Sequence, residues 1–129
     1  MSDLTDGAET RSIAWLTGQS TTAPTMPYVL RLMTANGSDS AAGTEVTGGT
    51  YTRQSITLGA PTGSNPTQVS NSALVRFDLL PACTIVGVEV WDSAGTPFRW
   101  WWKALSVSRT VLAGDAVEFA IGELDFEMA

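Results

Sequence analysis

At 129 residues the chain suits one domain and is short for two. Apolar residues make up 43% and charged residues 16%, which excludes a charged disordered tail. The absence of histidine excludes Ser-His-Asp and Cys-His catalysis and histidine metal sites, and a net charge of −6 argues against binding a nucleic-acid backbone.

Gly, Pro, Ser and Thr supply 47 of the 129 residues, which favours many turns and short strands over a helical bundle. Residues 1–18 read as a short helix, with Thr5 or Asp6 as cap, Glu9 in the first turn and Gly18 as stop signal. Ala8, Ser12, Trp15 and Leu16 fit one face, and a helix this short must dock on something. Asp3, Asp6 and Glu9, without a following apolar run, argue against a signal peptide. Residues 19–27 form a linker, so the chain divides into an N-terminal helix and linker, 1–27, and a β-domain, 28–129.

Tyr28 to Met33 reads as the first strand, and residues 36–50 as a long polar loop. Tyr51 to Leu58 is a strand, and residues 59–72, with Pro61 and Pro66, a second long loop. Loops of this length are interaction candidates. Ala73, Val75, Phe77 and Leu79 alternate with polar or outward residues, as in a half-buried strand. Thr84 to Asp92 and Phe98 to Leu105 form a hairpin around residues 93–97. Val117, Phe119 and Ile121 point inward, and after Gly122 the parity switches to Leu124, Phe126 and Met128, which predicts a bulge or bend at Gly122. About seven short strands separated by turns predict an all-β fold, a β-sandwich or jelly-roll-like barrel with a short N-terminal helix. Cys83, alone in an apolar run, reads as a small buried hydrophobe. No apolar run reaches the ~20 residues that span a membrane.

The tryptophan cluster is the most informative local feature. If the hairpin closes around 93–97, Val90 faces Trp100 and Val88 faces Trp102 on a core face. On the other face Trp91 meets Arg99, and Glu89 meets Trp101 with Lys103 diagonal to it. Trp100 and Trp102 are therefore core candidates. Trp91, Arg99, Trp101, Lys103 and Glu89 are candidates for a protein interface, because outward tryptophans need cover and Trp and Arg dominate binding surfaces. Cover by the N-terminal helix and a sugar-stacking platform on Trp91 and Trp101 are the other readings of the same residues.

Glu123, Asp125 and Glu127 share one face of the last strand. The row reads as a solvated face or one that meets a basic partner. It lacks the loop spacing of a calcium motif. No phosphate-binding glycine pattern and no catalytic constellation is present, so no cofactor or metal is expected and the chain reads as non-enzymatic.

The segments Tyr28-Val29-Leu30-Arg31-Leu32-Met33-Thr34-Ala35, Gly48-Gly49-Thr50-Tyr51-Thr52-Arg53-Gln54 and Val69-Ser70-Asn71-Ser72-Ala73-Leu74-Val75-Arg76-Phe77 carry a resemblance. So do Val88-Glu89-Val90-Trp91-Asp92-Ser93-Ala94-Gly95 and Ala113-Gly114-Asp115-Ala116-Val117-Glu118-Phe119. In order and spacing the chain resembles small tail-fibre-like or minor tail proteins of tailed bacteriophages. The resemblance implies a β-rich, non-enzymatic virion component, assembled in the host cytoplasm, whose partners are other virion proteins and copies of itself. A tail- or fibre-associated surface component is the first expectation. A capsid decoration protein bridging major capsid proteins is the alternative, and a carbohydrate-binding module that meets a host-surface glycan is a third. The three-fold symmetry common among fibre and cement proteins makes a homotrimer the expected assembly.

Overall fold

A computed structural model describes residues 3–20 and 22–128. Helix α1 spans Asp6–Leu16. Nine strands follow: β1 (Tyr28–Ala35), β2 (Thr44–Glu45), β3 (Gln54–Ile56), β4 (Thr67–Ser70), β5 (Val75–Phe77), β6 (Cys83–Trp91), β7 (Arg99–Val111), β8 (Val117–Phe119) and β9 (Asp125–Met128). The fold is all-β with one short helix, as its turn-rich composition predicts. No described helix is long and apolar enough to cross a membrane.

The main sheet runs β2-β1-β6-β7, all antiparallel, with β2 and β3 sharing the free edge of β1 end to end. Two separate ribbons, β4–β9 and β5–β8, supply the second layer. Strand parity sets the two faces. Leu30 and Leu32 of β1 and Val88 and Val90 of β6 point inward, where they join Val75, Phe77, Val117, Phe119 and Phe126 of the ribbons in one core. Arg31, Glu89 and Trp91 therefore fall on the opposite face. Phe77 meets Phe119 edge-on and stacks on Tyr51, so this aromatic group joins the β5–β8 ribbon to the loop before β3.

Both long loops contain structure that their polar sequences hide. Residues 36–50 include β2 and the buried Val46, and residues 59–72 include β4, which pairs with β9. Thr67–Ser70 carries one aliphatic residue, so no alternation announces it; its partner strand, Asp125–Met128, is far away in the chain. The strand expected over 51–58 shortens to Gln54–Ile56. The strand expected from Ala73 to Leu79 ends at Phe77. Leu79 sits at φ 52°, which breaks the parity, so Leu79 is exposed and Leu80 enters the core instead. Gly122 adopts φ 79° in the turn between β8 and β9, which pair in different ribbons, so the parity switch marks a crossing between ribbons.

The hairpin β6–β7 departs from the simple register. Trp91 pairs with Arg99 as expected, but a bulge at Trp100 then shifts the ladder by one residue. Val90 faces Trp101, Glu89 faces Trp102 and Val88 faces Lys103. The bulge exchanges the fates of the two middle tryptophans. Trp101 turns inward and packs on Phe126 at 5.9 Å, whereas Trp102 is half-buried on the outer face. Trp100 is buried, in a small second core with Leu4 and Ala8.

That second core holds the helix. Thr5 caps α1 by accepting from the Ala8 amide at 3.1 Å, and its hydroxyl donates to the Arg99 carbonyl at 2.8 Å. Asp3–Thr5 also runs along β7, with the Thr5 amide donating to Trp100 and the Trp102 amide donating to Asp3. Of the face expected to dock, Ala8 is buried, but Trp15 and Leu16 are 63% and 72% exposed. The helix is thus held mainly by its first turn and leaves Ile13, Trp15 and Leu16 near its end uncovered.

Replacing Trp100 by Ala is expected to cost about 3–5 kcal/mol in urea unfolding. Trp102→Ala, with its ring half in solvent, is expected to cost no more than about 1–2 kcal/mol. Equal losses would contradict the shifted register.

Candidate functional site

Three of the five residues singled out as interface candidates meet in one network on the outer face of the sheet. Glu89 is 1% exposed, and a carboxylate at that depth needs several donors. It has them: the Gly43 amide at 2.8 Å, the Trp91 indole N–H at 3.0 Å and the Arg99 guanidinium at 3.3 Å. Arg99, 8% exposed, also donates to the Ser38 carbonyl. The Arg31 guanidinium lies 3.8 Å over the Trp91 ring. Burial and the neighbouring Arg53 hold its pKa below the usual guanidinium range against the pull of Glu45 and Glu89.

The polar loop 36–43 is the lid of this network. Beyond Gly43 and Ser38, Asp39 accepts from the Trp102 indole at 2.7 Å, and its carbonyl accepts from the Asp6 amide at the start of α1. Asn36 donates to the Val86 carbonyl at 3.4 Å and lies so close to Gly87 that a Cβ there would fall 1.8 Å from its side-chain oxygen. A larger residue at Gly87 would displace the Asn36 side chain from its bond to β6 and crowd the Lys103 carbonyl at 2.9 Å.

The other two candidates lie elsewhere. Trp101 packs against both cores and forms a bridge with Leu4, and its buried N–H finds no acceptor in hydrogen-bond geometry. Lys103 donates to the Asp125 carbonyl and pairs with Asp3 at 3.5 Å.

A second group, at the hairpin end, was not legible as a site. Asp92 is buried and accepts from the Trp100 indole at 3.1 Å and from the amides of Phe98, Ala94 and Thr25. Burial alone would raise its pKa, but the four donors outweigh that and hold the carboxyl below its ordinary range. Asn71 is a further buried polar anchor. Its amide donates to the Ala73 and Ala120 carbonyls and its oxygen accepts from Leu124, which ties the two ribbons together.

Of the acidic row at the last strand, Glu123 meets a base of its own chain. Glu123 pairs with Arg109, Asp125 takes a hydrogen bond from Ser70, and Asp3 accepts from the Glu127 amide. No group of three or more potential metal ligands occurs among the described residues. Cys83 is free and half-buried against the core, and burial pushes its thiol up.

Between α1, residues 22–24 and the β1–β7 side of the main sheet lies a cleft of about 350 Å³. Its walls include Trp15, Tyr28, Trp100 and Met128, with Arg11 among the few polar residues. The cleft is aromatic, mostly carbon, and open beside the uncovered end of the helix.

The structure is thus a two-layer β-domain whose buried carboxylates Glu89 and Asp92 hold loops and strand ends, with a mainly apolar cleft open beside α1. The class is that of bacteriophage fibre proteins, virion components that associate with other virion proteins. The chain matches the family model described as Podophage GP4 fiber I protein gp80 over residues 3–127, and it belongs to that family. No curated protein matches it significantly.

Glu89→Gln keeps the shape but leaves the Arg99 charge buried without its counter-ion, and is expected to cost about 3–5 kcal/mol in chemical denaturation. The double variant Glu89→Gln/Arg99→Met is expected to recover a good part of that loss. For Asp92, the native pKa lies below the unfolded value of about 3.9. Its contribution is therefore complete above that value and is lost as pH falls through the native pKa. Melting temperatures followed from pH 6 to pH 2 should fall less steeply for Asp92→Asn than for the wild type.

Proposed function

We propose that this protein is a non-enzymatic, surface-located component of the phage tail fibre, and that it acts by binding neighbouring virion proteins and copies of itself. The family match over nearly the whole described chain carries this reading. Two features support it. The sequence has no histidine, and the buried carboxylates Glu89 and Asp92 are occupied by structural donors. The large exposed apolar residues lie in separate regions, with Ile13, Trp15 and Leu16 on the helix, Val107 on β7, and Leu112 and Ile121 in turns, so more than one neighbour can be met at once.

Within the interface expected from sequence, Trp91, Trp101 and Lys103 stay partly accessible and are the residues able to touch a partner. Glu89 and Arg99 lie behind them and set the position of Trp91. A homotrimer is the assembly we propose.

Imaging of the intact particle with the chain labelled tests the placement. Density along the tail fibres is expected, and density at fixed sites on the icosahedral shell would favour a capsid decoration protein instead. Light scattering of the purified chain should report three copies. A monodisperse monomer at high concentration, with no partner in the virion, would contradict the assembly.

A further inference from the structure

We propose that the aromatic cleft beside α1 receives an apolar segment of a neighbouring virion protein, and that a carboxylate on that segment pairs with Arg11. This deepens the fibre reading and rests on it, because it takes the occupant from the same particle.

The charge argument comes from what each base is doing. The chain has seven basic residues and thirteen acidic ones. Arg31 and Arg53 face Glu45, Arg76 faces Asp78 and Glu118, Arg99 faces Glu89, Lys103 faces Asp3, and Arg109 faces Glu123. Arg11 is the seventh. Among the described residues it has neither an ion pair nor a hydrogen bond, although acids outnumber bases almost two to one. Its guanidinium is nonetheless oriented, 3.5 Å over the Phe98 ring and 5.4 Å from the Trp100 ring. Stacking on rings fixes the plane of a guanidinium and leaves its N–H edge free, the edge that takes a carboxylate side-on. No Asp or Glu lines the cleft, so nothing within it competes for Arg11.

The apolar argument comes from the surroundings. Trp15 opens onto the cleft and is 63% exposed. Met26, just beyond the linker residues that line the cleft, is exposed as well. An exposed tryptophan at the mouth of an aromatic cleft is apolar surface that a free protein seldom shows, and Trp and Arg are among the residues that dominate binding at protein interfaces. A neutral sugar fits less well, because apart from Arg11 the cleft offers few free donors. The Ser12 hydroxyl donates to Ala8, the Trp100 indole to Asp92, and the Trp101 N–H is sealed from solvent.

The test uses whole particles carrying the full chain with a photo-crosslinking amino acid at Thr22, an exposed residue of the cleft wall. Irradiation followed by mass spectrometry should map crosslinks to an apolar, acid-bearing segment of a different virion protein. In parallel, Arg11→Glu should lower the copies per particle by about tenfold or more, while Arg11→Lys keeps most of them. Near-UV circular dichroism of the purified variants checks the fold; should Arg11→Glu fail it, Trp15→Ala, at an exposed position, takes its place. Wild-type incorporation of the folded variant would overturn the proposal, as would crosslinks found only between copies of this chain, only to host glycan, or nowhere. Wild-type particles that lack the chain altogether would instead overturn the fibre reading itself.

Discussion

The buried carboxylate of Glu89 is the constraint on which the outer half of the molecule depends. A charge taken that far from water is tolerated only when donors surround it, and here they come from three separate parts of the chain. Gly43 brings the end of loop 36–43, Trp91 the end of β6, and Arg99 the start of β7. Arg99 passes the constraint on. Its guanidinium holds Ser38, and its carbonyl takes the hydroxyl of Thr5, the residue that caps α1. Loop and helix, remote in sequence from the hairpin, are therefore positioned by one chain of bonds. A network of this kind is worth more than its separate links, because each member fixes the geometry of the next.

The consequence is a division of labour between surfaces. The inner face of the main sheet is closed by the two ribbons and their aromatic residues, and the outer face by loop 36–43. An open apolar surface remains beside α1, where the first turn is fixed by Thr5, Ala8 and Trp100 and the last turn carries Trp15 and Leu16 into solvent. A fibre component needs a rigid body and a contact surface. Rigidity at one end of this helix and exposure at the other supply both within eleven residues.

Much of the architecture is legible in the residues. Thr5 as cap, Gly18 as stop, the 93–97 turn, the Trp91–Arg99 pair and the inward Val75, Phe77, Val117 and Phe119 all follow from local chemistry and strand parity. What escapes is non-local. A single bulged residue at Trp100 reverses the faces of Trp101 and Trp102, and nothing in the local pattern marks it. β4 is invisible because its stability comes from β9. Glu123 looks unpartnered in sequence because Arg109 reaches it only through the fold. The candidate site was half legible: the residue types pointed to a cluster at Glu89, Trp91 and Arg99, while its lid came from a polar loop that reads as a surface excursion.

Backbone amide hydrogen exchange at Gly43 tests the central claim most directly. If Glu89 holds loop 36–43 onto the sheet, the Gly43 amide exchanges as slowly as amides of β6, and Glu89→Gln speeds it without exposing Val88 or Val90. Rapid exchange at Gly43 in the wild type, with β6 protected, would show that the loop is not held by Glu89.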